Sequence, residues 1–312
     1  MSLSEFAYTV LLKNASLKSF ANKIILSLLP TTTKIGPAIV HINPTDPVIS
    51  GALTLGVFER HEIAFFLRSC REGMTVVDVG ANVGIYTAIA MHLTKAKGKI
   101  ISIEPHPESL KYLTRTVDAN KLVLSPEDVP FVQIEAVAAS CREDIARLFV
   151  NPNNKGDNRL YVSDITPAIN STEVRTRTID GILKDLGIKT MEYLKLDVQG
   201  CELDVLEGAE NTIRASPSVI ILSEFWPDGL RRSRGQDAAT RYLELLKDLD
   251  FKTYQLKRNG LRPLRGQHDF ESMIRKLKGR QYTNIVCLKA VSTENLSLGR
   301  GIRSAPTLNS RT

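Results

Sequence analysis

The sequence predicts a doubly wound α/β fold of the Rossmann-like kind, and three observations carry that prediction. From Thr75 onward, short runs rich in Val and Ile alternate with stretches of helical spacing, the rhythm of a parallel sheet wrapped by helices. The runs "TVVDVG", "KIISIEP" and "SVIILSEFW" lack strict alternation of polar and apolar residues, as strands covered on both faces do. A turn with glycines at positions 80 and 84 closes the first run, and open sheets of this type bind ligands at the carboxyl ends of their strands.

The elements follow in order. Leu17, Phe20, Ala21, Ile24, Ile25 and Leu28 recur at helical spacing ahead of Pro30, which predicts an amphipathic N-terminal helix docked on the core. Ala38 to Leu55 reads as short strands broken by "NPTDP", and Glu59 to Cys70 as a helix. The main domain then spans 56–290. Its first strand leads into the helix "IYTAIAMHLTKA", its second into a helix over Leu110 to Asn120, and "FVQIEAVAAS" and "YLKLDVQG" supply the third and fourth strands. Residues 147–178 break the rhythm: "ARLFV", "RLYVS" and "EVRTRTI" predict a β-hairpin insertion, separated by turn-rich "NPNNKGDN" and "DITPAINST". Beyond the fifth strand come a helix over Ala238 to Leu249 and the strands "FKTYQL" and "YTNIVCLK", with 291–312 expected as a flexible tail.

Composition excludes several classes. Hydrophobic residues make up 43% and charged residues 24% of 312, which is globular rather than disordered. The four cysteines show no paired spacing, so neither a zinc site nor a disulfide framework is signalled, and thiols of this kind suit a cytoplasmic protein. Lysines interrupt the apolar N-terminal stretch at 13, 18 and 23, leaving no membrane span. The net charge is +7, and Leu230 to Arg280 holds 14 Lys and Arg against six Asp and Glu. That surplus lacks interleaved aromatics for base stacking, so a solvated surface is favoured over a nucleic-acid footprint.

The glycine turn, "VVDVGANVGIYT", points to a ligand. A dinucleotide fingerprint needs its second glycine for backbone to approach a pyrophosphate and its third for helix packing; here those positions hold Asn82 and Ile85. S-adenosylmethionine carries no phosphate, so it fits a turn built on Gly80, Ala81, Asn82 and Gly84. Asp78 can meet its ammonium, and Tyr86 and Thr87 sit beside its tail. Twenty residues after Gly84, Glu104 ends the second strand next to Pro105 and His106. A carboxylate there can accept both ribose hydroxyls. Ala136 and Val137, read as the end of the third strand, would wall the adenine.

These segments, together with "IISIEPHPES", "RTRTIDGIL" and above all "YLKLDVQGCELDVLEGAENTI", resemble the FkbM family of S-adenosylmethionine-dependent methyltransferases, from about Thr54 to about Tyr254. The resemblance implies a class I methyltransferase domain: a mostly parallel seven-stranded sheet with an antiparallel last strand. It also implies O-methylation of a hydroxyl on a sugar, glycan or natural-product scaffold. The family's motif usually reads Asp-Val-Glu-Gly-Ala-Glu; here Gln199 replaces its first Glu and Cys201 its Ala.

Methyl transfer needs an oxygen aligned behind the methyl and a place for its proton. Asp197, at the end of the fourth strand, is the expected catalytic carboxylate, joined by Glu202 and by Glu224 where "SEFW" leaves the fifth strand. Three such carboxylates can raise one another's pKa or hold a divalent metal, although no metal is indicated. Asn154, Gly156, Asp157 and Asn158 form an insertion tip read as a hairpin turn and a candidate clamp for a polyol. Two further readings stay open: an RNA methyltransferase using the basic segment, and a non-catalytic cofactor-binding protein, made conceivable by Gln199. Oligomeric state is not legible.

Overall fold

The computed structural model describes residues 30–44, 46–54, 56–151, 154–161 and 170–296; the expected helix over 17–28 lies outside them. An eight-stranded sheet forms the centre. In chain order its strands are β3 (Thr75–Val79), β4 (Lys99–Ile103), β5 (Phe131–Glu135), β9 (Tyr193–Leu196), β10 (Val219–Phe225), β11 (Lys252–Lys257), β12 (Gly260–Pro263) and β13 (Thr283–Lys289). In space they run β12-β11-β13-β10-β9-β3-β4-β5. Strands β5, β4, β3, β9 and β10 are parallel, and β13 lies antiparallel to both β10 and β11. Setting β12 aside, this is the seven-stranded sheet that the resemblance implies. β12 is an extra edge strand that folds back on β11 as a hairpin.

Successive residues of each strand feed opposite faces, and each face is apolar. Val77, Ile101, Leu194 and Ile221 pack against α5 (Ile179–Asp185), α6 (Glu202–Glu207), α7 (Glu210–Ala215) and α9 (Ala238–Asp248). Val76, Ile100, Tyr193 and Ile220 pack against α2 (Arg60–Ser69), α3 (Ile85–Thr94) and α4 (Pro107–Val123). The strand runs are continuously apolar because helices cover both sides. Two further helices, α8 (Pro227–Arg234) and α10 (Gly266–Lys276), complete the C-terminal third.

Three expectations need correction. Only Ala38–His41 of the 38–55 stretch is a strand, β2, which pairs with β1 (Thr32–Ile35); Pro47–Thr54 is a helix, α1. "DP" within "NPTDP" starts this helix: Asp46 Oδ1 accepts the amide of Ile49 at 3.1 Å, with proline in the first helical position. The third strand does not run through to Ser140. β5 stops at Glu135, and β6 (Ala138–Ala139) joins β7 (Asp144–Val150) and β8 (Asn170–Arg177) in a separate three-stranded sheet. The insertion is therefore more than a hairpin: β7 and β8 pair antiparallel, and β6 adds parallel to β8. Among the described residues of "RLYVS", Arg159 makes an isolated bridge to Phe149; 162–163 lie outside the described set. At the other end Leu296 is buried, so ordered chain continues past 291. Among the described residues no helix is long and apolar enough to cross a membrane.

Two side chains of α4 hold the N-terminal hairpin: Thr116 Oγ1 accepts the His41 amide at 3.0 Å, and Asn120 does more. Asn120 Oδ1 accepts the Ile39 amide at 3.0 Å, and Nδ2 donates to the Ile39 carbonyl at 2.6 Å and the Thr116 carbonyl at 2.7 Å. Asn120 is fully buried, so removing its amide strands backbone groups of β2. Asn120→Ala is expected to cost about 1–3 kcal/mol, read as a lower urea midpoint at unchanged slope; an unaltered midpoint would contradict the assignment.

Candidate active site

The turn after β3 is shaped by what lies behind it. Gly80 has φ 75°, and a β-carbon there would sit 2.0 Å from the carbonyl oxygen of Asp197. The tip of β3 thus touches the tip of β9 through a position that only glycine can fill. Gly84, at φ 89°, ends the turn just ahead of α3, and a β-carbon would meet Leu113 Cδ1 at 2.7 Å. Asn82 takes φ 50°, a left-handed conformation that asparagine tolerates better than most residues.

Glu104 locks this turn to β4. Its Oε2 accepts the Asn82 amide at 2.9 Å and its Oε1 the His106 amide at 2.8 Å. Each oxygen keeps a further lone pair for a ligand hydroxyl. Burial pushes the Glu104 carboxyl up to about 7, against the two amides that favour its charge. Asp78 and Thr87 lie elsewhere than expected. Both are buried; Thr87 Oγ1 donates to Asp78 Oδ2 at 2.7 Å and lies 2.7 Å from Ser102 Oγ. Neither lines the cavity, so this pair braces α3 against β3 and β4 from behind. A buried Asp on a strand looks the same in sequence whichever way its side chain turns.

A second group of charges gathers at the tips of β9 and β10. Lys195, almost fully buried, sets its Nζ 3.9 Å from Asp197 Oδ2 and 4.9 Å from the centroid of the Tyr86 ring. Burial works against the ammonium, but Asp197, Glu59, Asp78 and Glu224 outweigh it and raise the Lys195 pKa. Tyr86 donates its hydroxyl to Glu59 Oε2 at 2.5 Å. Gln199 Nε2 donates to Asp197 Oδ1 at 2.7 Å and to Glu224 Oε1 at 3.3 Å, so one neutral amide bridges two acids. Burial, then repulsion from Asp197, Glu202 and Glu59, drives the Glu224 carboxyl far above its ordinary range. Glu202 does not join them. It is fully buried and bends back to accept the amides of Val198 at 3.2 Å and Gly200 at 3.1 Å, fixing the loop that carries Asp197.

Both groups open into one cavity of about 450 Å³. Gly80, Ala81, Asn82, Tyr86, Glu104 and Pro105 line it, as do Asp197 and Glu224. Ala136 is exposed and Val137 lies in the core; Ala138 and Ala139 line that wall instead, because the chain turns away from the sheet after Glu135. The insertion supplies Asn154, Gly156, Asp157, Asn158 and Arg159 to the lining. Its foot is tied to the fourth-strand loop by Tyr161 Oη, which donates to the Gln199 carbonyl at 2.9 Å. Sequence reasoning missed Glu59, Lys195, Arg159, Trp226, Arg280 and Tyr282, all of which line the cavity. Lys195 had a legible signal, a charged residue inside the apolar run "YLKLD".

The donor set can be tested for the cofactor it suits. Five acids line the cavity, Glu59, Glu104, Asp157, Asp197 and Glu224, against the cations Arg159, Lys195 and Arg280. Arg159 is paired with Asp157 and Lys195 with Asp197. The neighbours of the glycine turn are Glu104 and Asp197 rather than a basic side chain, so the turn suits a cationic ligand with a diol and not a pyrophosphate. Among the described residues one other group could be considered for a metal, Cys141, Asp204 and Glu207, but Arg234 already pairs with both acids. Three further residues of the basic segment are also in ion pairs: Arg231 with Asp228, Arg241 with Glu207, and Arg275 with Glu271.

The model of the Methyltransferase FkbM domain matches residues 78–282. The AMB antimetabolite synthetase AmbE of Pseudomonas aeruginosa is 25% identical over 47% of this chain and 8% of that protein. Methyltransferase sdnD of Sordaria araneosa is 23% identical over 50% of this chain and 68% of its own length. Methyltransferase 1 of Beauveria bassiana is 24% identical over 44% and 58%. The chain therefore spans a small part of the first relative and about two thirds or less of the others. Among solved structures, a methyltransferase FkbM from Methylobacillus flagellatus aligns at 14% identity and a TM-score of 0.42, covering 88% of this chain and 59% of that one.

Two variants separate support from chemistry. Glu202→Ala frees the amides of Val198 and Gly200 in a buried loop, and is expected to lower unfolding stability by about 1–3 kcal/mol in chemical denaturation. Full stability with lost turnover would instead mark Glu202 as a reacting group. Gly80→Ala must displace the Asp197 backbone and is expected to lower stability by at least about 1–3 kcal/mol; a thermal midpoint equal to wild type would contradict the strand-tip contact.

Proposed function

This chain belongs to the FkbM methyltransferase domain family, and from that premise we propose that it transfers a methyl group from S-adenosylmethionine to a hydroxyl of a sugar, glycan or other polyol-bearing scaffold. One observation supports this above others: the glycine turn with its diol-accepting Glu104 and the acid cluster around Lys195 face the same cavity. Family membership accounts for the donor, and the chemistry of the lining argues for the acceptor.

When bound, the cofactor supplies a methyl group already activated on a sulfonium. The protein's task is then to bind, align and manage one proton. Glu104 would accept the ribose hydroxyls, while Gly80, Ala81 and Asn82 would give the adenosine a turn without bulk. Asp197, on the cavity wall, would hold the acceptor hydroxyl. Gln199 keeps its carboxylate aimed by donating to Oδ1, and Lys195 balances its charge from the other oxygen. The same amide spaces Asp197 from Glu224; the Glu that the family usually carries at this position would put a third acid between them.

Acceptor chemistry follows from the far wall. Asn154, Asp157 and Asn158 offer donors and acceptors, and Trp226 and Tyr282 offer aromatic surface, the mixture that grips a hydroxylated ring. The insertion that carries the polar groups acts as the specificity element. A cavity of about 450 Å³ is sized for roughly one drug-like ligand, so the acceptor enters by one end while its remainder stays outside. All four cysteines are free, which suits work in the reducing cytoplasm.

Calorimetry and methyl-labelling test this reading together. Glu104→Ala is expected to weaken S-adenosylmethionine binding at least tenfold, equivalent to about 1.4 kcal/mol. Asp197→Asn is expected to keep cofactor affinity within a few-fold and lower turnover by about 10²-fold or more. Label appearing in RNA and not in a panel of glycosides and polyols would overturn the acceptor class. An unchanged affinity in Glu104→Ala would overturn the pocket.

A further inference from the structure

Glu59 lies outside the matched family segment and yet is built into the cavity wall. It precedes α2 with φ 37° and ψ 44°, a left-handed conformation that is costly for a non-glycine residue and collects at functional sites. Its Oε2 receives the Tyr86 hydroxyl at 2.5 Å. Its Oε1 makes no hydrogen bond among the described residues and is not among the side-chain atoms sealed in protein without a partner, so it is solvent-accessible on a residue that lines the cavity.

The charges around it do not balance. Glu59, Asp197 and Glu224 surround a single ammonium, Lys195, which also has Asp78 behind it. Glu62 from α2 adds a further negative charge near Glu59. Glu202 and Tyr282 act on Glu224 and on the cluster from the remaining sides, while Arg280 lines the same cavity. Buried acids with too few cations retain protons at neutral pH. Glu224 is the more strongly held. Glu59 is poised, because enclosure favours its neutral form while Lys195 and the Tyr86 hydroxyl favour its charge.

We propose that entry of the cofactor's positive charge drives a proton off Glu59 into solvent, so that an open carboxylate faces the acceptor only once the methyl donor is in place. This rests on the donor assigned under the proposed function. In the reaction an oxygen–carbon bond forms to the methyl as its carbon–sulfur bond breaks. The electron pair stays on the departing thioether, and the hydroxyl proton passes to Glu59 Oε1. Protonated Glu59 and a neutral thioether then restore the charge count of the starting state. The arrangement couples base strength to donor occupancy and keeps the resting site from carrying a surplus of unpaired buried charge.

The test compares S-adenosylmethionine with S-adenosylhomocysteine, which lacks the methyl and the sulfonium charge but shares the ribose and amino-acid tail. Proton release on binding is measured with the full chain by calorimetry in buffers of different ionisation enthalpy. Contributions from Glu104 cancel in the difference. With the Glu59 carboxyl at about 7 in the free protein, the sulfonium form is expected to release roughly half a proton more at pH 7, falling toward zero by about pH 9, where Glu59 is already ionised. The preference for the sulfonium form should therefore rise as pH climbs through neutrality and then level off.

Glu59→Gln should abolish the extra release while both ligands still bind. Equal release for the two ligands in wild type, or an increment that persists in Glu59→Gln, overturns the inference. Should that variant fail to fold, a sulfonium preference in wild type that is independent of pH between about 6 and 8 overturns it equally. Binding of neither ligand overturns the proposed function and this inference with it; binding of both with equal proton counts overturns this inference alone.

Discussion

The site depends on one close contact: the carbonyl of Asp197 occupies the space where any side chain at position 80 would begin. Parallel strands β3 and β9 pair up to Val79 and Leu196, and their tips then stay together instead of splaying. Because residue 80 is glycine, the turn that would hold the cofactor and the loop that carries the acids share a wall. The network of Lys195, Asp197, Gln199 and Glu224 hangs from the same strand end. Glu202 freezes it from below by taking the loop's amides.

Buried acids serve two different ends in this fold. Asp78, Glu104 and Glu202 are each spent wholly or partly on donors of the protein itself, and their role is to hold backbone and helices where the site needs them. Asp197, Glu59 and Glu224 line the cavity around a single nearby ammonium, that of Lys195. Asp78 and Glu202 are spent on such bonds, whereas each Glu104 oxygen keeps a lone pair for a ligand. The cavity acids are left under-compensated, which costs stability and raises the Glu59 and Glu224 carboxyls.

Much of the sheet was legible because its signals are strong ones. Continuous Val and Ile runs mark strands with helices on both faces, as the structure bears out, and the glycine turn after the first of them lines the cavity. What failed turned on which way a side chain points or where a chain bends. Asp78 and Glu202 have the residue type and the position of ligands but aim at Thr87 and at backbone amides. Asp46–Pro47 reads equally as a turn or as a helix start, and only packing selects the helix. The break after Glu135 has no glycine or proline to announce it, so Ala136 and Val137 were assigned to a wall that Ala138 and Ala139 form. Glu59 and Tyr282 come from segments far from the motifs and meet the site only through tertiary folding. Lys195 could have been found, since a charge within a buried strand demands a partner.

A crystal structure of the chain with S-adenosylmethionine is the most direct measure of the central claim. The cofactor is expected with its ribose on Glu104, its adenosine against the turn at Gly80 to Asn82, and its methyl toward Asp197 and the cavity lined by Glu59 and Glu224. A ligand lodged elsewhere, or one whose methyl points away from Asp197 while the crevice beside Gly80 stays filled by side chains, would contradict it.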